Sequence, residues 1–423
     1  MCFLKGVNRC VNSVKATYRW TNREWRSRLR RMQLAETWIT DELAALREAG
    51  MERSLTPYDQ TGVEVVSGGQ SLLNFSSNDY LGLARHPHVQ AAAIGAINRF
   101  GAGATASRLV SGTLTCHEAL ESRLASLKGY PAALVFGSGY AANVGIISAL
   151  VGRGDHVFID RLAHASLVDA AVLSRASVHR FHHNDVTHVS RLCRGGSRSG
   201  KRLIVTESVF SMDGDLAPVP ALAAVAEAEG AMMLVDEAHA TGVFGPGGAG
   251  LIRAAGVEST VNLSMGTLSK ALGGSGGFVA CSAGMRAWFI HKARSFIYST
   301  ALPPAMAGAA LGALDVLREN PGMGTELLAR AAHFRSRLQN LGLNTGSSES
   351  QIIPVMVGDN PRAVRLHRRL LEQGILAIAI RPPTVPRGTA RLRLSVRLDH
   401  PVAMLNEVAD RIAAAARAEG VIS

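Results

Sequence analysis

The sequence predicts an α/β protein. A large domain on a mainly parallel sheet (residues 86–340) is expected beside a smaller α+β domain, built from residues 341–423 and an N-terminal segment, 32–85. Three observations predict this. From about residue 130, short and continuously apolar runs end in glycine or polar turns and lead into helices, which fits strands buried on both faces. After about residue 345 the chain changes character and reads as a smaller α+β unit. The 43 glycines are spread along the chain rather than gathered in repeats, as many tight turns and close backbone approaches require.

In chain order, residues 32–85 hold the helical pattern "AETWITDELAALREAG" and are expected to pack beside the tail. "AALVF" then runs into "GSGYAANVGIISALV", and "HVFI" into "DRLAHASLVDAAV". "RLIVT" ends at "ESVFSMDGD", "AMMLVD" at "EAHATG", and "VNLSM" leads to "GTLSK". In such sheets ligands sit beyond the carboxyl ends of the strands, so these polar clusters hold the candidate functional residues. The tail reads as "QIIPVMV", the helix "PRAVRLHRRLLEQG", "ILAIAI", "ARLRLSV" and the helix "VAMLNEVADRIAAAARAEG".

The net charge of +12 suggests nucleic-acid binding until it is located. Residues 1–31 hold Lys5, Arg9, Lys15, Arg19, Arg23, Arg26, Arg28, Arg30 and Arg31 against Glu24 alone, so +8 lies there and +4 in the rest. No nucleic-acid partner is expected for so nearly neutral a body. The basic segment lacks the apolar core of a secretory signal. A transit peptide, a disordered arm and a start codon assigned too early are the readings; the last is favoured, because Met32 opens the first orderly helical pattern. No apolar run approaches the roughly 20 residues of a membrane-spanning helix, so no membrane partner is expected. Cys2, Cys10, Cys116, Cys193 and Cys281 show no CxxC and no metal-type spacing, which fits reduced thiols in the cytoplasm.

Each strand end offers one reactive group. Gly139 and Tyr140 open a helix, where backbone N–H groups can hold a phosphate, although "GSGYAAN" has no GKS or GKT of a P-loop. His164 in "DRLAHAS" is a candidate ring-stacking or acid–base group, set against the commoner structural histidine. Asp236 ends the run "AMMLV", where burying a carboxylate is costly without a cationic partner, and His239 follows three residues on. Lys270 stands between a polar run and the glycines of "GTLSKALGGSGG". Pyridoxal phosphate chemistry uses all of these. A lysine forms a Schiff base with the aldehyde, an aspartate pairs with the protonated pyridine nitrogen, a histidine stacks on the ring, and a helix N-terminus binds the phosphate. The glycines after Lys270 would let lysine and cofactor approach closely.

The motifs "LNFSSNDYLGL", "SRLVSGT", "SGYAAN", "HASLVDA", "ESVFSMDGD", "DEAHATGVFG", "GTLSKALGGSGG", "YSTALPP" and "AIRPPTVPRGTARLRLSV" occur within roughly residues 40–415. On them the chain resembles the α-oxoamine synthase family of fold-type-I pyridoxal-phosphate transferases. The resemblance implies pyridoxal 5'-phosphate as cofactor, with Lys270, His164 and Asp236 as catalytic residues. Lys270 would carry the cofactor, His164 would stack on its ring and touch substrate, and Asp236 would meet the pyridine nitrogen. His239 and Ser211 would bond near the phenolate oxygen, Gly139, Tyr140 and Thr267 would surround the cofactor and its phosphate, and Asn78 would lie near. Arg393 would bind the amino-acid carboxylate, and Thr384 and Arg53 would contact substrate, with Arg47 the alternative to Arg53. "YSTALPP" would lend Ser299 or Thr300 to the phosphate of a partner subunit, which implies a homodimer with shared active sites.

The implied reaction is a decarboxylative condensation of L-alanine with a pimeloyl thioester, carried on coenzyme A or acyl-carrier protein, with Lys270 as base. Relatives that join glycine or serine to other acyl-CoA donors are the alternative. Arg381 stands where those relatives usually carry an aromatic or apolar residue; it would select the pimeloyl carboxylate, or else hold its turn by a salt bridge. Leu398 and Asp399 depart from the small residues that often precede His400 in this family, and residues 1–31 have no counterpart. A regulatory protein on this fold would be expected to have lost Lys270 or Asp236, and both are present. "HRFHHNDVTH" at 179–188 holds four histidines without HExxH order; it reads as a strand edge running into a surface turn, and no metal site is expected.

Overall fold

The computed structural model describes residues 36–48, 51–59, 62–195 and 199–423; the extension expected at residues 1–31 lies outside them. The chain divides into two compact units, residues 1–57 and 58–423. In the first, helix α1 (Thr37–Glu48) buries none of its residues.

The second unit begins with β1 (Glu64–Ser67), β2 (Gln70–Asn74), α2 (Pro87–Phe100) and α3 (Thr115–Lys128). The strand-and-helix run follows: β3 (Ala132–Phe136), α4 (Gly139–Leu150), β4 (His156–Asp160), α5 (Ala165–Ser174), β5 (Ser177–Phe181), α6 (Val186–Gly195), β6 (Arg202–Glu207) and α7 (Val219–Ala228). It continues through β7 (Met232–Asp236), α8 (Leu251–Ala255), β8 (Leu263–Thr267) and β9 (Gly277–Cys281). Helices α9 (Ala283–Lys292), α10 (Arg294–Ile297), α11 (Pro304–Glu319) and α12 (Met323–Asn340) come next. The tail holds β10 (Ile352–Gly358), α13 (Asn360–Glu372), β11 (Ile375–Leu376), β12 (Ile378–Ile380), β13 (Ala390–Ser395) and α14 (Val402–Ala418).

Seven strands form one sheet in the order β3-β9-β8-β7-β6-β4-β5. From β5 to β8 all neighbours are parallel, and β9 runs antiparallel to both β8 and β3. The continuous apolar runs have the burial they implied. On one face Ile159, Val205 and Leu234 pack with Ile146 of α4 and Leu167 of α5. On the other, Phe158, Ile204 and Met233 pack with Val189 of α6 and Leu222 of α7. Strand β9 was not among the runs read from the sequence, because it follows a glycine turn with no helix before it.

The tail forms a second sheet, β10-β13-β12, and a third joins β1 and β2 to β11. There Leu73 of β2 lies in parallel register with Ile375, so residues 64–74 and the tail share a sheet. Phe136, Asp160, Glu207, Asp236 and Thr267 close their strands at the same end of the large sheet.

Candidate active site

A cavity of about 260 Å³ is lined by Asn78, His164, Ser211, His239, Lys270 and Arg393, with Ser76, Met212, Ile378 and Ile380 completing its wall. It thus gathers six of the residues singled out in the sequence. Lys270 is presented by a turn that folds back after β8. Leu268 N–H donates to Gly276 O at 3.0 Å, and Gly274 N–H returns to Leu268 O at 2.8 Å. Gly273 has φ +65° and a side chain there would meet the backbone of residues 83–84. A Cβ on Gly277 would fall 2.6 Å from Gly139 Cα. The glycines therefore serve the turn and its approach to the start of α4, rather than the space around the lysine amine itself.

Burial pushes the Lys270 amine down to about 8, against the upward pull of Asp236 and Glu207. Asp236 is buried and firmly held: Oδ2 accepts from Asn143 Nδ2 at 2.8 Å and Oδ1 from Ala238 N–H at 2.9 Å. Glu207 stands opposite it on β6, with Oε1 accepting from His164 N–H at 2.6 Å. Burial first, then the Asp236 charge, raises Glu207 well above the usual carboxylate range. His164 caps α5 through its ring, Nδ1 accepting from Ser166 N–H at 3.2 Å, and burial lowers its proton affinity.

His239 lies with Nδ1 2.7 Å from the Tyr80 hydroxyl. Burial, then the Lys270 and Arg393 charges, drive it well below its ordinary value, so the ring is neutral. Arg393 donates from Nε to Ser211 O at 2.6 Å, from Nη1 to Ser395 Oγ at 3.0 Å and from Nη2 to Asn78 Oδ1 at 3.1 Å. Its fork is thereby aimed between the 211 loop and residue 78.

Several predicted residues lie elsewhere. Gly139 and Tyr140 form the first turn of α4, capped by Ser138 Oγ, which accepts from Ala141 N–H at 3.0 Å. Tyr140 is half exposed and its hydroxyl donates to Asp169 Oδ2 at 2.8 Å. Thr267 is buried, its Oγ1 2.6 Å from Ser269 Oγ and donating to Gly276 O at 2.8 Å. Thr300 is exposed and bridges Ser107. Thr384 is exposed, its N–H bonded to Arg381 O at 3.1 Å, and Arg381 follows β12 directly. Arg53 belongs to the first unit, as does Arg47, which pairs with Glu52 at 2.7 Å.

The histidine tract runs as read, from edge strand β5 into a turn, but His183 in that turn does more than face solvent: its side chain is 18% exposed and joins Asp160 at 3.1 Å to Asp215 at 2.7 Å. The two carboxylates outweigh burial and lift it to about 9. Its neighbours His182, Asp185 and His188 bring possible ligand atoms within 4.8 Å of one another at the surface. Sequence reasoning also missed Tyr80, Asn143, Ser166 and Glu207. All four lie inside motifs quoted above, but their partners are on other elements, which no linear pattern displays.

Pyridoxal phosphate fits these residues. The chain supplies an amine that is partly neutral near pH 8, a buried carboxylate held by an amide, and two neutral imidazoles. It also supplies a side-chain-free approach between Gly277 and the N–H groups that open α4. Such a site at the strand ends of such a sheet defines a fold-type-I pyridoxal-phosphate-dependent transferase. Residues 70–412 match the aminotransferase class I and II family. The chain is 50% identical over 387 residues to the 8-amino-7-oxononanoate synthase of Geobacter sulfurreducens, covering 91% of this chain and 99% of that one. It is 49% identical over 370 residues to that of Anaeromyxobacter dehalogenans, covering 87% and 93%. A solved structure of SPT with a pyridoxal phosphate internal aldimine shares 33% identity at a TM-score of 0.87, covering 92% of this chain and 99% of that one. An 8-amino-7-oxononanoate synthase structure from Francisella tularensis shares 27% identity at 0.72, covering 82% and 99%. The chain belongs to the 8-amino-7-oxononanoate synthase family of pyridoxal-phosphate-dependent acyltransferases.

Proposed function

We propose that this enzyme condenses L-alanine with a pimeloyl thioester, releasing carbon dioxide and the free thiol, and so makes 8-amino-7-oxononanoate for biotin synthesis. The observation that carries this is a single cavity in which Lys270, His164 and Arg393 face Met212, Ile378 and Ile380. Charged groups suited to an amino acid stand beside an apolar wall suited to an acyl chain. Relatives at 42–50% identity that bear the synthase name support the same substrates.

Pyridoxal phosphate, when bound, supplies an electron sink for a carbanion at the amino-acid α-carbon. Lys270 would hold it, and its amine would take the α-proton, a role matched to an amine at about 8. Asp236 would keep a proton on the pyridine nitrogen, and His164 would cover the ring face and touch substrate. Ser211 and His239 bond the phenolate side, with Asn78 near. The first N–H groups of α4 at Gly139 and Tyr140, with the Thr267 hydroxyl, hold the phosphate. Arg393 exchanges its bond to Asn78 for the alanine carboxylate, a task suited to a planar fork of donors. Thr384 contacts substrate, and Arg381 selects the terminal carboxylate of the pimeloyl chain. The acyl carrier is coenzyme A or acyl-carrier protein. In a homodimer, exposed Thr300 reaches the partner's phosphate. The same reading places the enzyme in the cytoplasm, with buried Cys116, Cys193 and Cys281 as free thiols.

A thiol-release assay that crosses alanine, glycine and serine with pimeloyl-, succinyl-, acetyl- and palmitoyl-CoA tests the proposal. Alanine with pimeloyl-CoA should exceed every other pair by about tenfold or more. A second reading, acyl transfer to serine, draws on the 33% likeness to serine palmitoyltransferase from Sphingomonas wittichii. Preference for serine with palmitoyl-CoA would establish it instead.

A further inference from the structure

Asn143 and Ser166 are each 1% exposed and carry none of the roles above. Asn143 projects from α4 and Ser166 from the first turn of α5. Asn143 Nδ2 donates both to Asp236 Oδ2 at 2.8 Å and to Ser166 Oγ at 2.9 Å. Ser166 Oγ in turn lies 2.8 Å from His164 Nδ1. These bonds join the carboxylate of Asp236 to the imidazole of His164.

Their direction follows from what each atom can do. An ionised carboxylate only accepts, so the atom facing Asp236 is the amide nitrogen. That nitrogen has a second hydrogen, which Ser166 Oγ accepts. The serine proton is then left for His164 Nδ1, which also accepts from Ser166 N–H at 3.2 Å. Two donors on Nδ1 place the proton of the neutral ring on Nε2. The neighbouring ionisable groups are Asp236, Lys270 and Asp169, with Glu207 on the histidine's own backbone N–H, and burial outweighs them to favour the neutral ring. Asn143 Oδ1 is buried with no hydrogen-bond partner among the described residues. A buried amide left half satisfied is a poor device for stability alone, and its orientation toward Asp236 needs another reason.

We propose that Asn143 and Ser166 are positioning residues that relay from Asp236 to His164, fixing the imidazole as the Nε2–H tautomer and so making it a hydrogen-bond donor to the substrate, never a base. The proposal rests on the reading that Asp236 and His164 bracket the cofactor ring. A donor in that place can bond a carbonyl or carboxylate oxygen of either substrate while Lys270 alone moves the α-proton.

The test begins on apoprotein with histidine labelled by nitrogen-15 in the ring. In the wild type, the His164 signals should show a bare Nδ1 and a protonated Nε2. Ser166→Ala should mix the tautomers and raise the ring's proton affinity, since a donor that favours its neutral form is gone; Ser166→Thr should restore both. Asn143→Ala should move them the same way through the freed serine. In loaded enzyme, Ser166→Ala should lower kcat about tenfold with little change in the KM for alanine, and move the acid limb of the pH profile to higher pH, where Ser166→Thr leaves it in place. A protonated Nδ1 in the wild type overturns the inference. So does a Ser166→Ala protein whose tautomer, proton affinity and pH profile match those of Ser166→Thr. Wild-type enzyme that releases no thiol from pimeloyl-CoA defeats the functional reading instead, and leaves the apoprotein result standing by itself.

Discussion

At the scale of single residues, Lys270 has to be a poor cation in order to be a useful base. Its folded value of about 8 lies below the ordinary 10.5, so between those limits the unfolded chain holds a proton that the folded chain has released. Stability from this group therefore rises with pH across that window. Wild-type apoprotein should gain on Lys270→Met in unfolding free energy as pH rises from about 8 to 10.5. The same variant should lose the cofactor's visible absorbance and nearly all turnover; activity within about tenfold of wild type would exclude the assigned role. Asp236→Asn should slow exchange of the alanine α-proton in deuterated water far more than it weakens cofactor binding, and unchanged exchange would remove Asp236 from the mechanism. The sequence disclosed these residues by their setting: Asp236 ends an apolar run with a charge that the run alone cannot justify, and Lys270 stands between a polar run and a cluster of glycines. Asn143 and Ser166 gave no such signal, since a small polar residue on the first turns of a helix is ordinary until its partner on another element is known.

At the scale of elements, β4 and the turn after β5 are joined by a buried charge rather than by apolar packing alone. His183 pairs with Asp160, the last residue of β4, and with Asp215 beyond β6. Its folded value of about 9 lies above the ordinary 6.5, so its contribution is complete below about 6.5 and is lost as pH rises through about 9. His183→Gln should thus cost about 2–3 kcal/mol at pH 6, measured by denaturant unfolding, and much less at pH 10. A loss independent of pH would mean that shape, not charge, holds the turn. The parallel strands were legible because burial on both faces writes continuous apolar runs. Strand β9 was not, because it enters antiparallel after a glycine turn, and the strand-then-helix rhythm that marked the others is absent there. The histidine tract was legible as an edge strand and its turn, but four similar residues in ten hid the one whose partners lie far along the chain.

At the scale of the whole molecule, the exposed apolar residues are not scattered evenly. Leu109 is 52% exposed, Val110 79% and Tyr298 71%, and the bridge between Ser107 and Thr300 brings their two segments together. In the proposed homodimer these residues are where association is expected. Val110→Asp should shift the protein toward monomer in light scattering and, by withdrawing Thr300 from the partner's site, weaken retention of the cofactor on dilution. A monomeric variant with wild-type retention would show that each site is complete within one chain. The strand order has a further consequence in the life of the cell. Translation delivers β3 early, yet its neighbour in the sheet is β9, with which Phe136 pairs through Gly277. A nascent chain stopped before that point lacks the strand that meets the opening of α4, and one stopped before β13 lacks Arg393. The strand that meets the opening of α4 is thus made only after Lys270, and the arginine assigned to the amino-acid carboxylate only near the end of synthesis, so an interrupted product can carry the lysine without the rest of its site.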